Sequence, residues 1–490
     1  MTDADREIEL KFACRPEDLA AVLAAAPAGD DESRELISVY FDTADLALQK
    51  AGASLRVREH EGRRVQTLKR GEGLVREEYE APIEGLAPDP ELGPLPSLAP
   101  KGAELRPVFN VRVSRRQRSF RYHDAEIELA FDQGEVSGGD QRAPICEVEL
   151  ELKSGPPSAL FRLARELSAA APLHLTFESK AARGHALVSG ESGAGPRHSE
   201  AVTLSKGLTV AQAFEAVAGH ALAQIAVNAA SLRAAPGPEA VHQLRVGARR
   251  LRSALATFRP ALEDEGLEAV KEELKWLSHA CDQVRNLDVF ADEALRAAEA
   301  GGEPPRGVEA LRKAIEIARR RAWARAAKTV ASDRFRALMI DVTAWTETGA
   351  WRDGETAQAR VTDFAHQALK RHRKRLAARS EAAAGTDDIA RHRLRIEAKK
   401  LRYAVEAFAG LYGRKRVGRY LHEVKALQEV LGALNDLVTA EPLLAGLGLP
   451  AEAAFAAGGI VGRRAGAKPR LVERAGKAAA RLADAEPFWA

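Results

Sequence analysis

The chain has 490 residues, of which 46% are hydrophobic, 29% charged and 5% aromatic. That composition excludes a disordered protein, and the length excludes a single small core, so two or three domains are expected. The net charge of +3 hides two opposite halves: residues 1–190 carry 25 Lys and Arg against 33 Asp and Glu, a net −8, and the rest carry 48 against 37, a net +11.

Cys14, Cys146 and Cys281 have no metal-like spacing, which predicts a reducing, cytoplasmic compartment rather than a disulfide framework. Asp3, Asp5, Glu7 and Glu9 interrupt the start of the chain, so no signal peptide is expected. No run of about 18 apolar residues is seen, so no membrane span is expected either.

Residues 1–190 read mainly as strands. Segments 37–41, 54–58, 64–69, 108–113, 126–131 and 145–152 alternate with Gly, Asp and Pro breakers, and 16–25 and 157–169 read as helices. Three strands carry charge in alternation: Glu7-Ile8-Glu9-Leu10-Lys11-Phe12, Leu55-Arg56-Val57-Arg58 and Glu147-Val148-Glu149-Leu150-Glu151-Leu152. Successive strand side chains face opposite ways, so each segment has one charged and one apolar face. Apolar outside and charged inside is the pattern of a closed barrel with a polar lumen. Carboxylates facing such a lumen suit a divalent metal, and arginines and lysines suit a polyanion, which together point to phosphate chemistry. Glu78 and Glu80 continue the alternation after Arg76, and are equally compatible with the lumen and with a surface hairpin.

A Ser/Gly-rich stretch predicts a flexible linker over 191–206. From 207 to 490 the chain is rich in alanine and arginine at helical spacing, and it contains a duplication. Val241-His242-Gln243-Leu244-Arg245 is repeated as Arg391-His392-Arg393-Leu394-Arg395, and the match runs without gaps from Phe214/Phe364 to Phe258/Phe408. The repeat halves are placed at about 207–345 and 357–490. On a helix, His242, Arg245, Arg249 and Arg252 fall within about 80° of one another, opposite Leu244, Leu251, Leu255 and Phe258. His392, Arg395, Lys399 and Arg402 repeat the stripe. Like charges at this spacing repel, so an anion is expected to compensate them. Without interleaved aromatics for base stacking, phosphate contact fits better than nucleic acid. The basic run Arg371-His372-Arg373-Lys374-Arg375 is the alternative location for such a site.

The front half resembles a CYTH domain, the triphosphate tunnel metalloenzyme fold. The matching residues are Glu7-x-Glu9-x-Lys11, Tyr40-Phe41-Asp42-Thr43, Leu55-Arg56-Val57-Arg58, Thr67-Leu68-Lys69, Asp132-x-Gly134, Glu147-x-Glu149-x-Glu151 and Ser179-Lys180, in family order. The back half resembles a CHAD domain through His242-x-x-Arg245, His392-x-x-Arg395 and the duplication. The resemblance implies an α+β two-domain chain: an N-terminal eight-stranded antiparallel β-tunnel and a C-terminal all-α pair of helical bundles.

It further implies hydrolysis of inorganic tripolyphosphate with Mg²⁺ or Mn²⁺ in the tunnel, and inorganic polyphosphate binding behind it. Glu7, Glu9, Glu147 and Glu149, with Glu151 and Asp132 as candidates, are then the metal ligands. Arg56, Arg58, Lys69, Arg115, Arg118 and Lys180 grip the triphosphate, Arg115 and Arg118 being chosen among five arginines of 112–121. Lys11, which the family places near the attacking water, is the expected catalytic residue and is assigned activation of that water. His242, Arg245, Arg249, Arg252, His392, Arg395, Lys399 and Arg402 take polyphosphate. The alternatives are a tunnel enzyme for an organic triphosphate, of thiamine triphosphatase or class IV adenylyl cyclase type, and a non-catalytic polyphosphate-granule protein. The sequence leaves oligomeric state open, a homodimer included.

Overall fold

A computed structural model describes residues 5–71, 73–100, 102–190, 195–198, 202–295, 306–383 and 387–489. Of the expected linker, 191–206, residues 195–198 and 202–206 are among them. The chain divides into two compact units: Met1–Gly195 with Ala331–Thr348, and Pro196–Val330 with Gly349–Ala490.

In the first unit, eight antiparallel strands among the described residues close into a barrel. They are β1 (Asp5–Ala13), β2 (Asp30–Asp42), β3 (Ala53–His60), β4 (Arg63–Arg70), β5 (Val75–Ile83), β6 (Arg106–Tyr122), β7 (Ala125–Gly138) and β8 (Gln141–Ser154). Their order is β5-β4-β3-β2-β6-β7-β8-β1, and β1 pairs back onto β5 from Asp5↔Glu78 to Ile8↔Val75. A short β9 (His174–Thr176) continues along β1 from Lys11 to Ala13, where β5 has left it.

The alternation of charge and apolar residues sorts the two faces. Leu10, Phe12, Leu129, Val148 and Leu150 point outward and are fully buried, and the helix Pro157–Ala170 packs against β1 and β8. Each such side chain contributes roughly 1.5–3 kcal/mol by leaving water. A second outer cluster joins Phe41, Leu48, Leu55, Val57, Leu68 and Leu95. Asp42 anchors it: its buried carboxylate accepts the N–H groups of Thr43, Leu48 and Gln49 and so caps the helix Ala47–Lys50. The Tyr-Phe-Asp-Thr motif thus has a structural task at Asp42.

One stretch of the lumen is apolar. Leu36 and Tyr40 share a face with Ser38, Val113 with Arg115, Val136 with Asp132, and Ile145 with Glu147. These four stretches form one cluster with Phe109, Val111 and Ala181 of the helix Lys180–Val188. That helix plugs the barrel. It fits because Gly184 has no side chain: a Cβ there meets the Phe109 ring at 2.1 Å.

A helix from far along the sequence completes this unit. Asp333–Thr348 packs on Pro157–Ala170, with Arg165 Nε 3.0 Å from Asp341. The buried Arg336 donates to the Ala331 carbonyl at 3.1 Å and to Asp333 at 2.9 Å. The sequence reading runs the first repeat half to 345, whereas contacts group Ala331–Thr348 with the barrel.

The second unit is helical. The first copy has Val210–Ala234, Pro238–Phe258 and Leu267–Val289, followed by Val308–Ala331. The second has Val361–Ala382, Asp388–Phe408 and Arg414–Ala445, followed by Ala451–Ala465 and Lys468–Asp484. Phe214 and Phe258 of one copy meet Phe364 and Phe408 of the other, with ring centroids 5.3 Å apart for Phe258–Phe364 and 5.4 Å for Phe258–Phe408. The aromatic ends of the duplicated stretch therefore form a shared centre. Contrary to expectation, Val210–Ala234 is long and apolar enough to cross a membrane, with mean hydropathy 1.2 over 18 residues. More than half of that window, 56%, is buried inside the unit.

Candidate functional site

The polar part of the lumen is a lattice of ion pairs. β1 supplies Glu7, Glu9 and Lys11; β3 Arg56 and Arg58; β4 Lys69; β5 Glu78; β6 Arg115; β7 Asp132; and β8 Glu147 and Glu149. Lys11 Nζ bridges Glu9 and Glu149, the latter at 2.7 Å. Lys69 Nζ donates to both oxygens of Glu7, at 2.6 and 2.8 Å, and lies 3.3 Å from Glu78. Arg115 binds Asp132 through two parallel bonds of 2.7 Å and reaches Glu149, the bidentate geometry that guanidinium groups favour. From the plug helix, Lys180 Nζ lies 2.7 Å from Asp132 and 2.9 Å from Glu149 and also contacts Glu147. Arg183 lies 2.6 Å from Glu147.

Charge sets the protonation states. Burial pushes Glu9 up to about 7, with Glu149 adding to it. Burial also pushes on Glu149, but Lys11, Lys180 and Arg115 outweigh it and hold that carboxyl well below the usual range. Asp132 is likewise held low by Lys180 and Arg115 against its burial. Burial favours a neutral Lys11, yet Glu149 and Glu9 raise it above an ordinary lysine. Lys11 thus keeps its proton, and cannot act as the base that takes one from water; what it can do is orient. Arg58 differs from the other cations. Burial, then Arg56 and Arg115, push it down to about 9. Its Nε donates to Ser38 Oγ at 3.2 Å, and no carboxylate among the described residues stands within ion-pair distance. A partly buried cation with no carboxylate against it favours binding of an anion.

Three carboxylates fit a metal. Oxygens of Asp132, Glu147 and Glu149 lie within 4.8 Å of one another, all three residues are buried, and Glu147 Oε2 accepts no directed hydrogen bond. Hard oxygen donors of this kind suit Mg²⁺ or Mn²⁺. Glu7 and Glu9 lie on the neighbouring strand and line a small recess with Lys11, Arg76 and Thr176.

Two expected members sit elsewhere. Arg118 is three residues from Arg115, and a strand turns such neighbours to opposite faces. Its guanidinium is held by Asp31 and by the carbonyls of Leu23 and Pro27, outside the lumen. Glu151 keeps the parity of Glu149 but is taken up by Lys153 at 2.7 Å, apart from the triad. The sequence reading missed Arg183, although it stands one helical turn after Lys180, behind the Ser179 cap that accepts from Ala182 N–H. It left Glu78 and Glu80 undecided. Glu78 now belongs to the lumen lattice through Lys69, and Glu80 accepts from Thr67 at 2.7 Å.

In the second unit, the helices Pro238–Phe258 and Asp388–Phe408 pack together and bring Arg245, Arg249, Arg395 and Lys399 into one cluster. Arg245 pairs with Asp282 at 2.7 Å, and Arg249 donates to Tyr403 Oη at 2.6 Å. Burial, then Arg395, Arg249 and Arg245, push Lys399 down to about 7. Burial lowers Arg395 too, with Arg245 and Arg249 adding to it, and its Nε is buried without a hydrogen-bond partner. Burial, then Arg285, push His242 down to about 4, leaving it neutral. His392 is exposed beside Asn435. Arg252 reaches Ser278, and Arg402 is neutralised by Glu406 at 2.8 Å, so these two stand outside the cluster. Part of the alternative run is engaged in structure: Arg371 donates to the Thr257 carbonyl, His372 is fully buried, and Arg373 donates to the Ala483 and Ala485 carbonyls, whereas Lys374 and Arg375 are exposed.

Comparison with known proteins agrees with this division. The CYTH domain family model matches residues 5–185, and the CHAD domain model matches 216–445. An inorganic triphosphatase of Haemophilus influenzae is 33% identical over 201 residues, which are 37% of this chain and 55% of that protein. The chain therefore spans about half the length of this curated relative. A solved structure of the CHAD domain from the plant Ricinus communis superposes with a TM-score of 0.54 at 30% identity, covering 60% of this chain and 98% of that one.

Proposed function

For a chain that belongs to the CYTH family over residues 5–185 and to the CHAD family over 216–445, we propose two linked activities. The barrel hydrolyses inorganic tripolyphosphate to pyrophosphate and orthophosphate in the presence of Mg²⁺ or Mn²⁺. The helical unit binds inorganic polyphosphate.

The observation that carries the first activity is the lumen itself. Buried carboxylates that fit a hard cation share the lumen with Arg58, a partly buried guanidinium with no carboxylate within ion-pair distance among the described residues. Asp132, Glu147 and Glu149 would hold the metal, with Glu7 and Glu9 beside them. Bound there, the metal would polarise the phosphoryl group under attack. Arg58 and Arg56 bind phosphate oxygens and offset charge that builds as the anhydride breaks. Arg115 and Lys69 keep the acidic residues ionised and in place, and Lys11, which carries its proton, orients water or a phosphate oxygen. The plug helix closes the apolar stretch of the lumen, limiting water at that side. The relative from Haemophilus influenzae supports the reaction class.

The second activity rests on the cluster of Arg245, Arg249, Arg395 and Lys399, whose mutual repulsion a polyanion relieves. Phosphate release from tripolyphosphate by the Glu9→Ala variant tests the first. Loss of release in a folded variant supports it, and unchanged release contradicts it. Polyphosphate binding by the Arg245→Glu/Arg395→Glu variant tests the second. It is expected to vanish, and retained binding contradicts the assignment.

A further inference from the structure

The ammonium of Lys180 stands where a metal would. It opens the helix Lys180–Val188, whose N-terminus is capped by Ser179 and faces the acidic triad. Nζ touches all three carboxylates, Asp132, Glu147 and Glu149, and its side chain is 9% exposed against 0%, 0% and 8% for theirs. Arg115 takes both oxygens of Asp132 and one of Glu149. Lys11 shares the remaining Glu149 oxygen with Lys180. Arg183 is close to Glu147 Oε2, yet that buried oxygen accepts no directed hydrogen bond. Asp132, Glu147, Glu149 and the adjoining Glu9 face Lys180, Arg115, Arg183 and Lys11, four carboxylates against four cations. A divalent ion added to this arrangement leaves two uncompensated positive charges in a buried site, which is costly. Withdrawal of the lysine removes one, and an incoming phosphate removes the rest.

We propose that Lys180 is the resident cation of the Asp132–Glu147–Glu149 triad and competes with the divalent metal for it. Lys180 would leave the triad for a metal to be held there, and its freed ammonium would then be available to a phosphate oxygen, which ties metal binding to substrate binding. Lys180 is a positioning residue in this scheme, acting through the metal site. The proposal rests on the reading that the triad holds the metal.

The test is Mn²⁺ binding to the full chain without substrate, followed by electron paramagnetic resonance of the free ion. Lys180→Met is expected to bind Mn²⁺ at least tenfold more tightly than the natural chain, and Lys180→Arg to remain close to it. The added affinity is expected to disappear in Lys180→Met/Glu147→Gln. Should Lys180→Met need metal to fold, its melting temperature is expected to rise with Mn²⁺ further than that of the natural chain. Equal or weaker Mn²⁺ binding by folded Lys180→Met overturns the competition alone, because phosphate release by the natural chain is read separately. Absence of Mn²⁺ binding from both proteins overturns it together with the metal reading.

Discussion

Arg58 Nε donates to the hydroxyl of Ser38 at 3.2 Å, and among the described residues no carboxylate neutralises that guanidinium. Lys11, Lys69, Arg115, Lys180 and Arg183 each lean on a carboxylate. Arg58 therefore costs stability while empty and binds anions strongly when they arrive. Arg58→Met is expected to unfold at a higher temperature than the natural chain, by about 1 kcal/mol of added stability. The same variant is expected to lose roughly 100-fold in kcat/KM for tripolyphosphate, the usual effect of removing one charged donor from a developing anion. Calorimetry and phosphate release read the two effects separately, and a variant that loses stability together with activity would contradict this account of Arg58.

The plug helix depends on one missing methyl group. A Cβ on Gly184 would lie 2.1–2.5 Å from three atoms of the Phe109 ring, so the ring or the helix must shift to admit it. Gly184→Ala is expected to cost about 1–3 kcal/mol and to lower turnover by shifting Lys180 and Arg183 away from Glu147. Trimming the ring in Gly184→Ala/Phe109→Ala should return part of the turnover. Unchanged melting and turnover in Gly184→Ala would show that the helix does not seat as described.

The barrel should not stand well without its distant helix. Residues 1–195 alone lack Asp333–Thr348, which packs on Pro157–Ala170. That fragment is expected to melt roughly 10 °C below the same fragment carrying 331–348 through a flexible linker, since several kcal/mol of apolar burial are lost. Equal melting temperatures would show that the helix adds nothing to the barrel.

Much of this was legible because strand alternation is a local rule. Glu7, Glu9, Arg56, Arg58, Glu147 and Glu149 sort to one face whatever the rest of the chain does. Arg115 against Arg118 was not settled, because five arginines crowd β6 and only the partners, Asp132 for one and Asp31 for the other, decide between them. Arg183 and Lys180 lie on a helix whose docking depends on Gly184 and Phe109, a contact across 75 residues that no local pattern encodes. The grouping of 331–348 with the barrel is likewise a long-range packing outcome. In the helical unit the duplication gave both basic stripes, while their convergence at Arg245, Arg249, Arg395 and Lys399 needed the packing of the two copies.

Lys399 ties polyphosphate binding to pH. Burial and neighbouring arginines hold it at about 7 in the free protein, so above that pH it is largely neutral. A polyanion favours the charged form and moves it back toward the ordinary lysine value of about 10.4. Binding at pH 8.5 is therefore expected to take up close to one proton per site, and binding at pH 6, where Lys399 is already charged, none. Calorimetry in buffers of different ionisation heat measures the uptake, and Lys399→Arg should abolish it. An equal uptake at both pH values would contradict this role for Lys399. Binding is also expected to weaken steeply with salt, as released counterions require.

The central claim is met most directly by phosphate release from tripolyphosphate by the purified full chain, with Mg²⁺ or Mn²⁺ and again with EDTA, with ATP, thiamine triphosphate and long-chain polyphosphate in parallel. The account predicts strong turnover of tripolyphosphate that needs metal and is lost in Glu9→Ala. No release from any of these substrates, with polyphosphate still bound tightly, would contradict it and leave a binding protein whose lumen only holds its ligand.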